Sequence, residues 1–371
     1  MPQIVIPKEL LPEDGRFGCG PSKLRDEQLS NFASLGSKLM GTSHRQAPIK
    51  NMVGEIREGL MELFQAPSDY EIILGNGGST AFWDAAAFSL AEKKAQALVH
   101  GEFGAKFANA LKTPWLENPT VNKAEPGTRA SFQAEAGVDL YVYPHNETST
   151  GVVTEVERVS GADQNALMLT DATSAAGGIW FDAKQTDCYY FAPQKNFASD
   201  GGLWLALVSP KTVDRIEKIA ASGRYIPEFL SLKTALDNSR LNQTLNTPAI
   251  STLFLLADQI SWMNRSGGLR WADAKTKATS KLIYDWAEAS QYAFPFVEDP
   301  SHRSQVVVTV NFKEEIDALE IAQILRSNGI VDTDPYRKLG KNQLRVATFT
   351  ATESSDVEQL LRSIDYVVGQ L

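Results

Sequence analysis

The chain has little of what marks a secreted, membrane-spanning or nucleic-acid-binding protein. Only two cysteines, Cys19 and Cys188, occur in 371 residues, and their dissimilar settings give no disulfide or metal-binding pattern. No apolar run reaches the length of a membrane span, and the N-terminus has no basic-then-apolar signal pattern. The net charge of −9 disfavours a nucleic-acid partner. We therefore expect a cytoplasmic protein without membrane, nucleic-acid or metal partners.

What is present is an ordinary globular composition, with 43% hydrophobic and 22% charged residues. This length accommodates one large domain and one smaller domain. The pattern predicts a large domain over residues 16–257. A small α+β domain is expected over 258–371, joined by the N-terminal segment 1–15.

Short apolar segments alternate with polar loops and helical segments from about residue 70 to residue 210. The predicted strands are Tyr70–Leu74, Ala97–His100, Leu140–Tyr143, Ala166–Asp171, Cys188–Phe191 and Leu203–Val208. This alternation predicts an α/β fold with a mostly parallel sheet, whose strand ends face one crevice. An alanine-rich helix is expected to follow Thr80 and to run to about Leu98.

Lys195 follows one buried strand and precedes the next, with Pro193 ending the first. It either reaches solvent along its own stem or is a desolvated amine with a lowered pKa, able to form a Schiff base. Asp171, at the end of another predicted strand, favours the second interpretation. A lysine for the Schiff base and an aspartate for the pyridine nitrogen are the two protein groups that pyridoxal phosphate chemistry needs.

Three further features have two interpretations each. The stretch 75–80, between a strand and a helix, is either a phosphate cradle or a tight turn in which Ser79 or Thr80 caps the helix. His44 and Arg45 lie in a polar loop and are either anion ligands or surface residues. Phe103 either stacks on a flat cofactor ring or simply packs.

Several motifs in order resemble the phosphoserine aminotransferases, a group of class-V, fold type I pyridoxal phosphate enzymes. The motifs, which span nearly the whole chain, are Phe17–Ser22, Ser43–Arg45, Gly77–Thr80, Asn146–Thr148, Asp171–Ser174, Gln194–Asn196 and Asn246–Pro248. The resemblance implies a large domain with a seven-stranded, mostly parallel sheet flanked by helices, and a smaller α+β C-terminal domain.

The resemblance also implies roles around the cofactor. Lys195 would carry the internal aldimine and then move the substrate proton, and Asp171 would pair with the pyridine nitrogen. Thr148 would bond the 3-oxygen of the ring. Phe103 would stack on the ring, where many relatives have tryptophan. The expected phosphate ligands are Ser79, Thr80 and Gln194, completed by Asn246 and Thr247 of a neighbouring subunit in a homodimer with shared sites.

For substrate binding, the resemblance assigns His44 and Arg45 to the substrate anion and Arg345 to the substrate α-carboxylate. Arg337 is a further candidate for the phosphate side. There this chain departs from the family: Tyr336 replaces a histidine, and Thr80 stands where some relatives have an arginine. These departures bear on the phosphorylated substrate and leave the cofactor assignment unchanged.

The implied reaction is a ping-pong transfer of the amino group of glutamate to 3-phosphohydroxypyruvate, giving O-phosphoserine for serine biosynthesis. A second implied substrate is 3-hydroxy-2-oxo-4-phosphooxybutanoate, in pyridoxine biosynthesis. The alternatives are a related alanine– or serine–glyoxylate aminotransferase and a non-catalytic binding protein on the same fold. A cysteine desulfurase is disfavoured because Cys188 lies in a buried strand and Cys19 in an N-terminal turn.

Overall fold

The computed structural model describes residues 4–371, so residues 1–3 of the predicted segment 1–15 lie outside the described residues. Within that range the α-helices are α1 (Asp26–Leu35), α2 (Ala47–Leu63), α3 (Ser79–Ser89), α4 (Glu102–Ala110), α5 (Pro210–Ala220), α6 (Leu232–Arg240), α7 (Ile250–Arg265), α8 (Gly268–Ala289), α9 (Ala318–Ser327) and α10 (Ser354–Val368). Short 3-10 helices occupy Lys8–Leu10, Gly36–Lys38, Ala183–Gln185, Glu228–Leu230, Pro300–His302 and Arg337–Leu339.

The strands form one large sheet and two small ones. They are β1 (Glu71–Asn76), β2 (Ala95–Val99), β3 (Thr120–Lys123), β4 (Leu140–Pro144), β5 (Asn146–Glu147), β6 (Val152–Val153), β7 (Leu167–Asp171), β8 (Cys188–Phe191), β9 (Leu203–Val208), β10 (Ala293–Pro295), β11 (Val307–Phe312) and β12 (Gln343–Ala347). The seven-stranded sheet has the order β1-β9-β8-β7-β4-β2-β3. Only β9 runs antiparallel to its neighbours in this sheet. The predicted α/β fold with a mostly parallel seven-stranded sheet is therefore confirmed.

The central strands read as continuous apolar runs because helices cover both faces of the sheet. In β8, Tyr189 and Phe191 join one apolar cluster, with α2 and α7. Cys188 and Tyr190 point the other way and join a second cluster, with α3 and α4. Alternation of side chains along the strand thus places a core on each face.

The alanine-rich helix predicted to reach Leu98 ends much earlier, at Ser89. The next three polar residues turn because the carboxylate of Asp139 accepts their backbone N–H groups, at 2.8 Å from Glu92, 2.6 Å from Lys93 and 2.9 Å from Lys94. The chain then enters β2 at Ala95. A carboxylate from a distant part of the sequence therefore ends this segment, and helix propensity does not decide it.

The C-terminal part has its own core around the antiparallel sheet β10-β11-β12. Ile6 of the N-terminal segment packs there, with α9 and α10. Along α8, Ala272 still belongs to the core of the large sheet, whereas Ile283 belongs to the second core. The division into residues 16–257 and 258–371 remains a prediction. No helix of residues 4–371 is both long and apolar enough to cross a membrane.

We predict that Leu205→Ala destabilises the protein by about 2–5 kcal/mol, because it leaves a cavity in the core of the large sheet. Leu205 is fully buried in β9, where it pairs with Leu74 and Phe191. The matched control is Leu319→Ala at a position 48% exposed, which should change stability by about 0.5 kcal/mol or less. Urea unfolding followed by circular dichroism measures both, and equal losses would refute this account of the core.

Candidate active site

The candidate site lies where the carboxyl ends of β4, β7 and β8 meet, the place where open α/β sheets bind ligands. Asp171 is the last residue of β7, and its neighbours across the sheet are Pro144 and Tyr190. Lys195 follows the end of β8 by a short loop. The order of the strands therefore brings the lysine and the aspartate to one edge.

The N-terminal glycine-rich motif closes around Lys195. The amine of Lys195 donates a hydrogen bond to the backbone carbonyl of Cys19. Ser22 bonds the same loop twice, from its hydroxyl to the carbonyl of Lys195 at 2.6 Å and from its N–H to the carbonyl of Gln194 at 2.9 Å. A Cβ at Gly20 would collide with the Lys195 amine, so the motif needs glycine there.

Burial lowers the pKa of the Lys195 amine from 10.5 to about 8, and the positive charge of Arg345 acts in the same direction. The nearby carboxylate of Asp171 opposes this shift without cancelling it. The residue keeps some exposed surface, yet its amine is enclosed by protein. At pH 8 about half of the amine is therefore uncharged and nucleophilic, which an ordinary surface lysine is not.

Thr173 holds one oxygen of the Asp171 carboxylate. Its N–H donates to Oδ1 at 2.9 Å, and its hydroxyl donates to the same oxygen at 2.6 Å. The hydroxyl of Thr173 also lies 2.6 Å from that of Ser79. Since Thr173 has a single hydroxyl hydrogen and gives it to Asp171, Ser79 must be the donor between the two hydroxyls. Ser79, predicted as a phosphate ligand, is thus also linked to Asp171.

Ser174, which was not among the predicted site residues, joins the loops around Thr148. It accepts from the Thr148 hydroxyl at 2.7 Å and from the Asn146 amide at 2.8 Å. Its carbonyl accepts from the amide of Asn196 at 2.9 Å. Because the Thr148 hydrogen is used here, Thr148 must turn its hydroxyl to donate to a cofactor oxygen.

Phe103 is placed by the buried carboxylate of Glu147. This carboxylate accepts the N–H groups of Phe103 at 3.1 Å and Gly104 at 2.9 Å, and the Ser149 hydroxyl at 2.6 Å. These bonds satisfy free donors in the first turn of α4. Burial raises the pKa of the Glu147 carboxyl, and the donated bonds oppose the rise. The Asn146–Thr148 motif therefore fixes the start of the helix that carries Phe103.

Arg345 in β12 faces the same region. Its Nη1 donates to the carbonyl of Thr148 at 2.9 Å, and its guanidinium lies 5.2 Å from the ring centroid of Tyr336. Tyr336 lies in turn 6.0 Å from the Phe103 ring. The Nε of Arg345 is buried and has no hydrogen-bond partner within residues 4–371. One edge of the guanidinium is therefore open for a bidentate carboxylate.

Arg337, the second candidate arginine near the C-terminus, is exposed and begins a 3-10 helix. Among the described residues it makes no side-chain hydrogen bond or ion pair. Its neighbour Lys338 pairs with Glu102 at 2.5 Å. The segment that carries Tyr336 and Arg337 is thus attached to the first turn of α4, beside Phe103.

The remaining predicted ligands form a second cluster on one surface. The His44 ring lies 3.2 Å from the Thr247 hydroxyl, and Arg45 donates to Gln243 at 2.6 Å. The N–H of Asn246 donates to the Asn76 side chain at 3.2 Å. No hydrogen bond within residues 4–371 joins this cluster to Lys195, Asp171 or Arg345. The structure therefore groups these residues with each other rather than with the lysine of the same chain.

The phosphate cradle predicted from the sequence begins at the end of β1. Gly77 and Gly78 lead into α3, which begins at Ser79, and Thr80 is exposed in its first turn. The N–H groups at this helix start are free for an anion. The side-chain oxygen of Gln194 is buried without a partner in the described chain, as is Nε2 of His44. The free N–H groups at the start of α3, the enclosed amine and the strand-end carboxylate fit a phosphorylated pyridine aldehyde.

A large surface cleft lies elsewhere, beside the start of α10. Lys23 there pairs with Asp14 at 3.3 Å and Asp356 at 3.2 Å, and Arg25 pairs with Asp258 at 2.6 Å. These cations are already paired with carboxylates, whereas Nε of Arg345 has no partner within the described residues. Size alone therefore does not identify the site.

This sheet, with an enclosed lysine and a carboxylate at adjacent strand ends, is the arrangement of fold type I pyridoxal phosphate enzymes. The family model "Aminotransferase class-V" matches residues 24–333. The chain belongs to the class-V aminotransferase family.

Relatives with high identity cover the whole chain. A protein of Mycobacterium sp. (strain KMS), named "Putative phosphoserine aminotransferase", is 57% identical over 100% of both chains. A protein of Nocardioides sp. (strain ATCC BAA-499 / JS614), named "Phosphoserine aminotransferase", is 56% identical over 99% of this chain and 98% of the relative. The resemblance drawn from the motifs is thereby confirmed.

Solved structures share the fold at low identity. A phosphoserine aminotransferase from Cytophaga hutchinsonii superposes with a TM-score of 0.88, at 24% identity, over 95% of this chain and 99% of that chain. An alanine–glyoxylate aminotransferase from Nostoc sp. superposes with a TM-score of 0.79, at 15% identity, over 98% of both chains. The fold therefore accommodates more than one of the substrates considered above, and fold alone does not choose between them.

We predict that an amine-directed acylating reagent modifies Lys195 of the cofactor-free enzyme with a midpoint near pH 8. The physical reason is that burial lowers the amine pKa to about 8, so the reactive uncharged form increases as pH rises through that value. A short unstructured peptide that contains one lysine, whose amine has the unperturbed pKa of about 10.4, is the control and is acylated in the same solution. Mass spectrometry reads both lysines, and coincident midpoints would show that Lys195 is not desolvated.

Proposed function

We propose that this class-V aminotransferase transfers the amino group of glutamate to 3-phosphohydroxypyruvate, giving 2-oxoglutarate and O-phosphoserine. The observation that carries the proposal is the enclosed Lys195 amine beside Asp171, with the open edge of Arg345 facing the same region. The names of relatives at 56–57% identity over nearly the full length support the substrate pair. Serine biosynthesis is the process that this reaction serves.

The residues present fit pyridoxal phosphate as the cofactor. Lys195 and Asp171 would hold its aldehyde and ring nitrogen, with Thr148 at the 3-oxygen and Phe103 against the ring. Ser79, Thr80 and Gln194 would bind its phosphate, together with the N–H groups at the start of α3. When bound, pyridoxal phosphate supplies an electron-accepting ring that stabilises negative charge at the substrate Cα.

Lys195 is proposed to act as base and then as acid. Its Nζ would take the proton from Cα of the amino-acid substrate and, in the same half-reaction, give it to the carbon that carried the aldehyde of the cofactor. A group with a pKa of about 8 suits this exchange, because both of its protonation states are accessible near neutral pH. An ordinary lysine would remain charged and could not accept the proton.

Arg345 is proposed to bind the substrate α-carboxylate. Its Nη1 is fixed by the carbonyl of Thr148, which leaves Nε and Nη2 as two parallel donors. A guanidinium edge matches the two oxygens of a carboxylate. This contact would set the orientation of Cα toward Lys195.

The phosphate or the distal carboxylate of the substrate would contact His44, Arg45 and Arg337. Burial and the charge of Arg45 lower the pKa of His44, so the neutral ring prevails near pH 7 and can act as a hydrogen-bond donor. The whole chain carries a net charge of −9, so attraction of anionic substrates depends on this local cluster.

We further propose a homodimer with shared active sites, in which Asn246 and Thr247 reach the cofactor phosphate of the second copy. His44 contacts Thr247, and Arg45 contacts the same loop. Both residues would therefore act in the active site to which Thr247 contributes. Activity on 3-hydroxy-2-oxo-4-phosphooxybutanoate, a cytoplasmic location and the two-domain division at residue 257 are proposed on the family resemblance.

The substrate assignment is tested with the visible spectrum of the cofactor-loaded enzyme. We predict that glutamate alone converts the aldehyde form of the cofactor to its amine form. Addition of 3-phosphohydroxypyruvate should restore the aldehyde spectrum, because its phosphate meets the cation cluster. Hydroxypyruvate and glyoxylate are the unphosphorylated controls, and 3-hydroxy-2-oxo-4-phosphooxybutanoate tests the second substrate. Equally efficient restoration by glyoxylate would instead assign a glyoxylate aminotransferase.

The shared site is tested by subunit complementation between two inactive variants. One carries Lys195→Ala and the other carries Asn246→Ala with Thr247→Ala. If the two sets of residues act across the interface, each mixed dimer has one intact site, and an equal mixture should recover about a quarter of wild-type activity. The control is the triple variant with all three changes in one chain, which should stay inactive. Failure of the exchanged mixture to regain activity would place both sets in one chain's site.

A further inference from the structure

The buried indole of Trp83 lies against the second oxygen of Asp171, the one that Thr173 does not bind, and also contacts the buried Tyr190. The indole Nε1 of Trp83 lies 3.3 Å from Oδ2 of Asp171 and 2.8 Å from the hydroxyl oxygen of Tyr190. Tyr190 faces Asp171 across the β7–β8 pair in the register of the sheet. Trp83 reaches them from α3, one turn after Ser79.

The donor directions follow from counting hydrogens. An indole N–H can only donate, so the Tyr190 oxygen accepts from Trp83. The single hydroxyl hydrogen of Tyr190 is then left for a different acceptor, and the neighbouring acceptor is the Asp171 carboxylate. Burial raises the pKa of Tyr190 well above its ordinary value, and the hydrogen bond and charge of Asp171 act in the same direction. The hydroxyl therefore keeps its proton and donates it toward Asp171.

Aromatic packing fixes this arrangement. Phe82 stacks on Tyr190 with ring centroids 4.2 Å apart, and Phe107 stacks on Trp83 at 6.1 Å. The edge of Phe107 also meets Tyr190 at 5.9 Å. All belong to the apolar cluster between the sheet and α3. Hydrogen bonds to a carboxylate are strong in such surroundings, because water does not compete.

We propose that Trp83 and Tyr190 are positioning residues that hold the Asp171 carboxylate in one orientation toward the pyridine nitrogen of the cofactor. Thr173 fixes Oδ1, and Trp83, itself bonded to Tyr190, contacts Oδ2, so the carboxylate cannot rotate without losing donors. The proposal rests on the proposed role of Asp171. In this proposal Trp83 and Tyr190 contribute to the reaction by holding Asp171, without contacting the substrate themselves.

The test uses Trp83→Phe and Tyr190→Phe, both of which keep an aromatic ring. Tyr190→Phe removes only the hydroxyl, whereas Trp83→Phe removes the indole N–H together with part of the ring system. Trp204→Phe is the matched tryptophan control, because Trp204 is buried in the same cluster but packs on Phe82. Tyr189→Phe is the matched tyrosine control, since its hydroxyl lies 3.1 Å from His145. Thermal unfolding of each cofactor-free variant confirms that it folds.

We expect kcat for glutamate to fall about ten- to a hundredfold in both test variants, as for loss of a hydrogen bond to a charged group. The KM for glutamate should stay within about twofold, because Arg345 is untouched. The dissociation constant of pyridoxal phosphate should rise about tenfold or more by absorbance titration, a readout independent of turnover. Combining the changes should cost less than the product of the single effects, because the two residues act as one unit.

The pH dependence of the visible cofactor band gives a second readout, and it should shift in the test variants relative to the controls. Lys195 and Tyr189 also sense the Asp171 charge, which is why Tyr189→Phe is included. Test variants that match their controls in kcat, cofactor affinity and band would overturn the proposal. The variant Asp171→Asn separates failure of the positioning role from failure of the proposed function. If Asp171→Asn also keeps activity, the assignment of Asp171 is wrong. If Asp171→Asn loses activity, only the positioning role of Trp83 and Tyr190 fails.

Discussion

The desolvation of the Lys195 amine is the constraint on which the rest of the site depends. A buried ammonium is costly, and the folded-state pKa of about 8 records that cost. Because this value lies below the ordinary 10.5, the penalty is full below pH 8 and disappears as pH rises past 10.5. The N-terminal motif closes over the amine through Cys19, Gly20 and Ser22. Burial of the amine thus lowers the stability of the folded protein and makes the amine nucleophilic near neutral pH.

In contrast to the desolvated amine, the carboxylate of Asp171 is surrounded by hydrogen-bond donors from several elements. Thr173 comes from its own loop, Trp83 from α3 and Tyr190 from β8. Ser79 connects this network to the start of α3. The proposed phosphate cradle and the proposed ring-nitrogen partner are therefore parts of one hydrogen-bonded unit.

The cations are divided between two places. Arg345 lies beside Thr148 and shares its aromatic neighbours with Phe103, whereas His44 and Arg45 contact the loop of Thr247. Within residues 4–371 of one chain, no hydrogen bond joins Arg345 to His44 or Arg45. The proposed second copy would supply the missing groups to each cluster across a single closed interface.

The sequence by itself determined six of the seven strands of the large sheet, the α/β class and the motifs that carry Lys195 and Asp171, because apolar patterning and turn residues are local signals. It did not predict the edge strand β3, which has no continuous apolar run. The tertiary structure alone decided that Asp139 ends the alanine-rich segment after Ser89, and that Trp83 and Tyr190 meet Asp171. Donor and acceptor come from segments far apart in sequence, and only strand order and register bring them within bonding distance.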